Sequence, residues 1–104
     1  MVKISKNRIY CNRVSGIYLK RLNIAQLEIN SCDIYYNEGS NVYFNKIKSK
    51  DGDSVSIIKS RIGESEIGFI VKDCLSFKMV EVEIIKNKQY GIYITDSSMF
   101  KKIN

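Results

Sequence analysis

A four-residue pattern returns along this chain at intervals of 23 to 27 residues. Gly16-Ile-Tyr-Leu19 recurs as Gly68-Phe-Ile-Val71 and as Gly91-Ile-Tyr-Ile94, with a looser copy at Asn41-Val-Tyr-Phe44. Self-similarity at such a period is typical of stacked structural units. Each unit is too small to bury an apolar face alone. The repeat therefore predicts a solenoid in which equivalent positions of successive coils lie above one another.

Apolar residues occur in i, i+2 pairs, the period of a β-strand with one buried face. The pairs form three families, each repeating after about 25 residues: Ile17/Leu19, Val42/Phe44, Phe69/Val71 and Ile92/Ile94; Val2/Ile4, Leu27/Ile29, Val55/Ile57 and Val80/Val82; and Ile9, Cys32/Ile34, Ile62 and Ile84 or Ile85. No segment carries a sustained apolar stripe of helical period. We therefore predict an all-β solenoid of about four coils with three short strands per coil.

Small and polar residues lie between these pairs. Glycines precede the first strand of each coil at positions 16, 39, 68 and 91, where a positive φ or a crowded corner favours a residue without Cβ. Asn12, Asn37 and Ser65 each follow an isoleucine of the third family by three residues. Stacked polar side chains at this position would hydrogen-bond along the corner. Ser49–Ser54, with Asp51-Gly52 as its turn, is expected to be a loop.

The runs Asn12–Leu19 and Ile85–Ser98 resemble the repeat of NosD-like right-handed parallel β-helix proteins, in the broad pectate-lyase-like class. The resemblance covers nearly the whole chain and implies the fold, but the motif is structural and is shared by lyases, hydrolases, epimerases, tailspikes and adhesins. A pentapeptide-repeat quadrilateral helix is the alternative, because apolar or small residues also recur every five positions. That frame has a coil of 20 residues and places Lys72, Asn87 and Lys102 inside.

Composition excludes several kinds of site. The chain has no histidine, which removes classical catalytic triads and most zinc sites. Cys11, Cys32 and Cys74 lack metal-type spacing and are expected to be small buried hydrophobes. The N-terminus lacks a signal-peptide run, so we expect a cytoplasmic location unless the chain is a fragment of a secreted or phage protein. No segment is apolar enough to span a membrane, and the net charge of +6 favours anionic partners.

The outward positions of the first strand family form the candidate binding surface. If the apolar pairs point inward, Tyr18, Tyr43, Ile70 and Tyr93 point outward in one column, flanked by Lys20, Asn45, Lys72 and Thr95. Sugar rings stack on tyrosine faces, and lysine or asparagine contacts hydroxyls and carboxylates. We therefore expect a polysaccharide-binding stripe, with Tyr18, Lys20, Tyr43, Asn45, Lys72 and Tyr93 as the binding residues. The alternative is an exposed face of good strand formers.

Asp73 and Asp96 are 23 residues apart and are expected at the same corner of adjacent coils. Two such carboxylates could share a Ca²⁺ ion or form an acid/base pair of the glycosidase type. The equivalent positions of the earlier coils carry Arg21 and Lys46, which breaks a continuous acidic site. We therefore favour structural corner residues, with no cofactor, over catalysis or metal binding.

The whole chain, residues 1–104, is expected to be one solenoid domain, either a portion of a longer solenoid or one unit of an assembly. Inward-type residues in the terminal coils predict self-association or a partner chain. The functional expectation is a non-enzymatic module that binds acidic polysaccharide. A polysaccharide lyase, hydrolase or epimerase, or a piece of one, is the first alternative, and a structural oligomer such as a tailspike or adhesin segment is the second. Nucleic acid is not favoured, because the basic residues of the C-terminal third are equally explained as protection of sheet edges.

Overall fold

The computed structural model describes residues 2–23, 27–48, 55–73, 76–95 and 99–103. These residues form thirteen β-strands, and the described ranges contain no helix. The strands are β1 (Val2–Ser5), β2 (Arg8–Tyr10), β3 (Ser15–Asn23), β4 (Leu27–Asn30), β5 (Asp33–Tyr35), β6 (Ser40–Lys48), β7 (Val55–Ile58), β8 (Arg61–Gly63), β9 (Ile67–Lys72), β10 (Ser76–Val80), β11 (Glu83–Ile85), β12 (Tyr90–Thr95) and β13 (Met99–Ile103).

Successive strands enter three different parallel sheets in turn. Sheet A has the order β1-β4-β7-β10-β13, sheet B the order β2-β5-β8-β11, and sheet C the order β3-β6-β9-β12. Each coil therefore contributes one short strand to each sheet, and β13 begins a further layer of sheet A. The protein is a parallel β-solenoid with three strands per coil, as the sequence repeat predicted.

The pentapeptide-repeat alternative is wrong. Residues of sheet A that lie above one another, Ile4, Ile29, Ile57 and Met79, are separated by 25, 28 and 22 positions rather than 20. The coil also has three sheets instead of four sides. A fixed period of five residues is not maintained in the structure, because the coils differ in length.

The ladder register confirms the first and third families of apolar residues. Ile17, Val42, Phe69 and Ile92 are paired across sheet C, and so are Leu19, Phe44, Val71 and Ile94. In sheet B the inward column is Ile9, Ile34, Ile62 and Ile84, which selects Ile84 over Ile85. The middle coils exclude solvent best, and Val42, Phe44, Ile57, Ile62, Phe69 and Val71 have no exposed surface.

The second family is correct for its first three members and wrong for its fourth. Val55 and Ile57 pair with Phe77 and Met79, not with Val80 and Val82. Met79 is fully buried. Val80 pairs with Ile58 and ends the strand, and the chain then turns at Glu81, whose φ is 53°. The left-handed turn interrupts the alternation, so Val82 lies at the corner instead of in the ladder.

The corners are made by non-glycine residues in the left-handed region. They occupy equivalent positions of successive coils: Lys6, Ser31, Lys59 and Glu81 after sheet A; Cys11, Tyr36, Glu64 and Lys86 after sheet B; and Arg21, Lys46 and Asp73 at the end of sheet C. Their φ values lie between 47° and 59°. Such a conformation is uncommon outside glycine. After sheets A and B this conformation accompanies each change of sheet, whereas Arg21 and Lys46 lie within β3 and β6, whose pairing continues to Asn23 and Lys48.

Most of the described glycines lie where neighbouring coils approach too closely to leave room for a Cβ atom. None of the described glycines has a φ in the left-handed region, but a Cβ at Gly68 would lie 2.6 Å from the carbonyl oxygen of Gly91 and 2.7 Å from Nδ2 of Asn87. Gly16, Gly68 and Gly91 form one column of sheet C, and in the second coil that column holds Asn41. Gly39 lies outside the column and approaches the carbonyl oxygen of Val14 instead.

A ladder of polar side chains runs between sheets B and C, at the position that the sequence indicated. Oδ1 of Asn37 accepts hydrogen bonds from the backbone N–H and the Nδ2 of Asn12, and the Asn37 N–H donates to Oγ of Ser65. Asn41 closes this network, because its Oδ1 accepts from Nδ2 of Asn37 at 2.8 Å and from Oγ of Ser65 at 2.7 Å. Asn37, Asn41 and Ser65 are all buried. This polar ladder satisfies groups that the strands leave unpaired.

The connections between sheets differ in length from corner to corner. Two residues join sheet A to sheet B in every coil, and three or four join sheet B to sheet C. The step from sheet C to sheet A takes three residues in three of the coils and six, residues 49–54, in the second. The expected Asp51-Gly52 turn falls within those six, outside the described residues. Pairing on both sides of the longer connection is parallel and in continuous register. Among the described residues there is no helix that could cross a membrane.

Candidate binding site

The outward column of sheet C has the composition that the sequence predicted. Tyr18 pairs with Tyr43, Tyr43 with Ile70, and Ile70 with Tyr93. These four residues are called the tyrosine stripe below. Tyr18 and Tyr93 are 52% and 42% exposed. The outward column Lys20, Asn45, Lys72 and Thr95 flanks the stripe on one side. The structure thus brings all six candidate ligand-binding residues onto one face.

The rings of the stripe pack on one another along the solenoid axis. The Tyr18 and Tyr43 rings are parallel to within 5°, with centroids 4.7 Å apart. Nζ of Lys72 lies over the Tyr43 ring, 5.6 Å from its centroid. Because Tyr18 belongs to the preceding coil and Lys72 to the following one, both faces of the Tyr43 ring are occupied. Tyr43 therefore presents its ring edge and hydroxyl to a ligand, and the expected flat stacking of a sugar on this ring does not fit.

Polar groups hold the edge of the stripe in place. Nδ2 of Asn45 donates a hydrogen bond of 3.3 Å to the hydroxyl of Tyr43. Lys20 is exposed, whereas Lys72 is half-buried by its position over the ring. At the other end of the face, the rings of Tyr90 and Tyr93 are tilted by 50° with centroids 5.6 Å apart. The surface consequently combines phenol hydroxyls with ammonium groups.

The aspartate pair is described only in part. Asp73 lies in the left-handed corner column with Arg21 and Lys46, as expected from the spacing, and its backbone N–H donates to the carbonyl of Thr95. Asp96 lies outside the described residues. The described part of the chain contains no group of three or more His, Cys, Asp or Glu side chains arranged to hold a metal ion. Asp73 is thus a corner residue of the backbone, and its pairing with Asp96 in a metal or catalytic site stays a prediction.

A second surface, which the sequence reasoning missed, is an open depression of about 300 Å³ on sheet B. Arg8, Asp33 and Arg61 are paired in one outward column and line it. The neighbouring column is Tyr10, Tyr35 and Gly63, in which Gly63 supplies no side chain. Tyr35, Tyr36 and Glu64 complete the lining. We refer to this depression as the sheet B notch.

Tyr35, which lines the notch, is stacked on Tyr10. The rings of Tyr10 and Tyr35 are parallel to within 11°, with centroids 5.2 Å apart, so Tyr10 covers the face of Tyr35 that points to the first coil. On the opposite side the column continues with Gly63. Tyr36 is inclined at 68° to Tyr35, with centroids 5.3 Å apart, and forms a side wall. This arrangement leaves one face of Tyr35 directed towards the notch.

Charged groups line the rest of the notch. Arg61 and Glu64 approach to 3.9 Å between Nη2 and Oε1. Hydrogen bonding to the Glu64 carboxylate, together with its negative charge, raises the pKa of the Tyr36 phenol above its ordinary value.

The sequence does carry a signal for this notch. Tyr10 and Tyr35 are 25 residues apart, one coil, and Gly63 follows one coil later. A glycine that follows a column of aromatic residues leaves the last ring without a neighbouring side chain in that column. The signal was overlooked because Gly63 belongs to none of the repeated Gly-Ile-Tyr-Leu copies. Gly63 is constrained as well, since a Cβ there would lie 2.5 Å from the carbonyl oxygen of Ile85.

The cysteines only partly match expectation. Cys32 is buried, whereas Cys11 is exposed, and both are free thiols. Cys11 is exposed because it occupies a left-handed corner position after sheet B, the column that also holds Tyr36 and Lys86. Cys74 lies outside the described residues.

Comparison with known proteins adds no family assignment. No family model matches the chain, and no curated protein or solved structure matches it at a significant level. The fold is therefore established by the topology of the three sheets, and function has to be argued from the two surfaces described above.

Proposed function

We propose that the protein is a non-enzymatic binding module for acidic polysaccharides, with the tyrosine stripe as its binding surface. The observation that carries the proposal is the alignment of Tyr18, Tyr43 and Tyr93 with Lys20 and Lys72 on one face of sheet C. Equivalent positions repeat along the axis at about 4.8 Å, the spacing of paired strands. A polymer lying along the axis would meet the same kinds of group at each step.

The packing of the rings determines the mode of contact. Since the faces of Tyr43 are covered by Tyr18 and Lys72, the ligand contacts ring edges and hydroxyls at this position. The ammonium groups of Lys20 and Lys72 pair with carboxylates of the polymer, which agrees with the net charge of +6. Such contacts are screened by salt, so binding weakens as ionic strength rises.

The family that the repeat resembles supports this class of ligand. NosD-like and pectate-lyase-like right-handed β-helices include many proteins that act on or bind polysaccharides. We propose that this chain is related to them in its repeat, while the catalytic alternative rests on Asp73 and Asp96 alone. The topology of three parallel sheets supports the relationship at the level of architecture.

The first prediction tests the stripe with paired charge variants. Lys20→Ala with Lys72→Ala should weaken binding to polygalacturonate or alginate. Lys3→Ala with Lys78→Ala removes the same charge from sheet A and should leave binding nearly unchanged. Tyr18, Tyr43 and Tyr93 changed together to Phe should also weaken binding, because the hydroxyls are lost while the rings remain. Glycan-array and titration measurements at two salt concentrations provide the readout.

Circular dichroism serves as the folding control for these variants, since all the substituted side chains point outward. Equal binding by the parent, the lysine variant and the phenylalanine variant would remove the stripe from consideration. Turnover of the polymer by the parent protein would favour the lyase or hydrolase alternative instead.

A second candidate, a structural oligomer, is favoured by the last coil. Ile94 belongs to an inward column but is 39% exposed, because the described residues place no further strand of sheet C beside β12. We propose that this surface contributes to assembly with a second chain or with a longer solenoid.

A further inference from the structure

We propose that the sheet B notch binds a single neutral hexopyranose residue, independently of the tyrosine stripe. The notch lies on a different sheet from the stripe and differs from it in shape and charge. Its volume of about 300 Å³ is enough for one sugar ring with its hydroxyls. The proposal rests on one open aromatic face combined with alternating donors and acceptors.

The aromatic face is the first element of the argument. Tyr35 is held by stacking on Tyr10 and by the edge contact with Tyr36, so its orientation is fixed before a ligand arrives. On its far side the paired residue is Gly63, which has no side chain to cover the ring, and Tyr35 and Gly63 both line the notch. The apolar C–H face of a pyranose packs on such a ring, which the covered ring of Tyr43 does not permit.

The charged groups are the second element. Arg8, Asp33 and Arg61 stand in one column at a spacing of about 4.8 Å. Within the described part of the chain, the side chains of Arg8 and Asp33 form no hydrogen bond or ion pair. A carboxylate between two guanidinium groups accepts from one hydroxyl of a vicinal pair while a guanidinium donates to the other. Asp33 and Arg8 are therefore available for this recognition.

The balance of charge argues for a neutral ligand. Arg8 and Arg61 are offset by Asp33 and Glu64, and Glu64 is already paired with Arg61. A carboxylate or phosphate on the ligand would meet Asp33 as well as the arginines. The notch thus differs from the stripe, whose lysines suit acidic polymers.

The test uses the methyl pyranosides of glucose, galactose and mannose, with methyl glucuronide as the acidic probe. Saturation-transfer NMR should detect at least one neutral pyranoside with a Kd of about 1 mM, as expected for a shallow site. Tyr35→Ala should weaken that binding by about 2- to 12-fold, the range for one aromatic contact. Tyr35→Phe should retain it, and Asp33→Asn should lose affinity without loss of fold.

Tyr18→Ala is the matched control on the stripe and should not change the signal of the neutral sugar. Preference for the glucuronide, or equal binding by Tyr35→Ala and the parent, would overturn the assignment, and so would the absence of signal from every neutral pyranoside. These outcomes are separate from failure of the stripe, because the neutral probe and its independence of salt distinguish the two surfaces.

Discussion

At the scale of single residues, the polar ladder shows how the hydrogen-bonding groups of a corner find partners. It also shows one described group that has none. Asn37 is fully partnered because Nδ2 donates to Oδ1 of Asn41 four positions later and to the carbonyl of Ile9. Asn87 occupies the same corner position two coils later, and its Oδ1 accepts from the N–H of Ser65. Its Nδ2 is buried and has no hydrogen-bond partner among the described residues. The residue four positions after Asn87 is Gly91, which has no side chain to offer.

Gly91→Asn should therefore stabilise the protein. The substitution places an amide where Asn41 stands in the second coil, within reach of the unpartnered Nδ2 of Asn87. A buried donor without a partner costs about 1–3 kcal/mol, and we expect the free energy of unfolding to rise by about 1 kcal/mol. Among the described residues, a Cβ at this position meets only Cγ2 of Ile84, at 3.3 Å. Urea denaturation provides the measurement.

Two further glycine substitutions test whether the added amide is the cause of the stabilisation. Gly91→Ala fills the same space without the amide and should gain less than Gly91→Asn. Gly68→Ala should be destabilising, because its Cβ would lie within 2.7 Å of Nδ2 of Asn87. If Gly91→Asn and Gly91→Ala were equally stable, Gly91 and Asn41 would not be equivalent in hydrogen bonding.

At the scale of strands, alternation decides which side chains enter the core. Ile57 of β7 is fully buried, and Ser56 beside it points outward between Glu28 and Lys78. Ile57→Asp should lower the free energy of unfolding by about 4 kcal/mol or more, because an unpaired charge enters an aliphatic column. Ser56→Asp should change it by less than about 0.5 kcal/mol. Thermal unfolding of the two variants compares them directly, and equal damage from both would contradict the register.

The sequence predicted most strands correctly, for a reason that also explains its failure at β10. The recurrent four-residue pattern indicated sheet C, because it marks the start of each strand, with Asn41 in place of glycine in the second coil. β10 has no such mark, and Phe77/Met79 and Val80/Val82 alternate equally well. Which of the two pairs enters the core depends on the left-handed turn at Glu81. The sequence does not indicate this turn, because the residue there is not a glycine.

The sequence predicted less about the binding surfaces than about the strands. Repeat spacing was enough to place the stripe residues in adjacent columns. It did not predict that Tyr18 and Lys72 cover the ring of Tyr43, because that depends on side-chain rotamers. The notch combines residues of three coils around the missing side chain of Gly63, so no local segment indicates it.

At the scale of the whole molecule, the described residues leave sheets B and C open at both ends. β2 and β3 pair only with the second coil, and β11 and β12 only with the third. Unpaired strand edges favour pairing with another chain. The last inward column is also incompletely covered at Ile94.

We therefore expect the 104-residue chain to self-associate at micromolar concentration. Ile92→Lys combined with Ile94→Lys should reduce the association by placing charge on the last layer, with some loss of stability in the last coil. Tyr93→Lys adds charge to the outward face of the same strand and serves as the control. Sedimentation velocity across a range of concentrations provides the test, and a compact monomer throughout would contradict the expectation.

The unequal lengths of the connections between the sheets indicate where the chain can accept an insertion. The second coil takes six residues from sheet C to sheet A where the others take three, yet the layers on either side remain in register. The length of the connection thus varies most between sheets C and A, by one residue between sheets B and C, and not at all at the two-residue corner between sheets A and B. Insertions acquired in evolution, or peptides grafted by design, are best accommodated between residues 48 and 55, where the scaffold already tolerates an interruption.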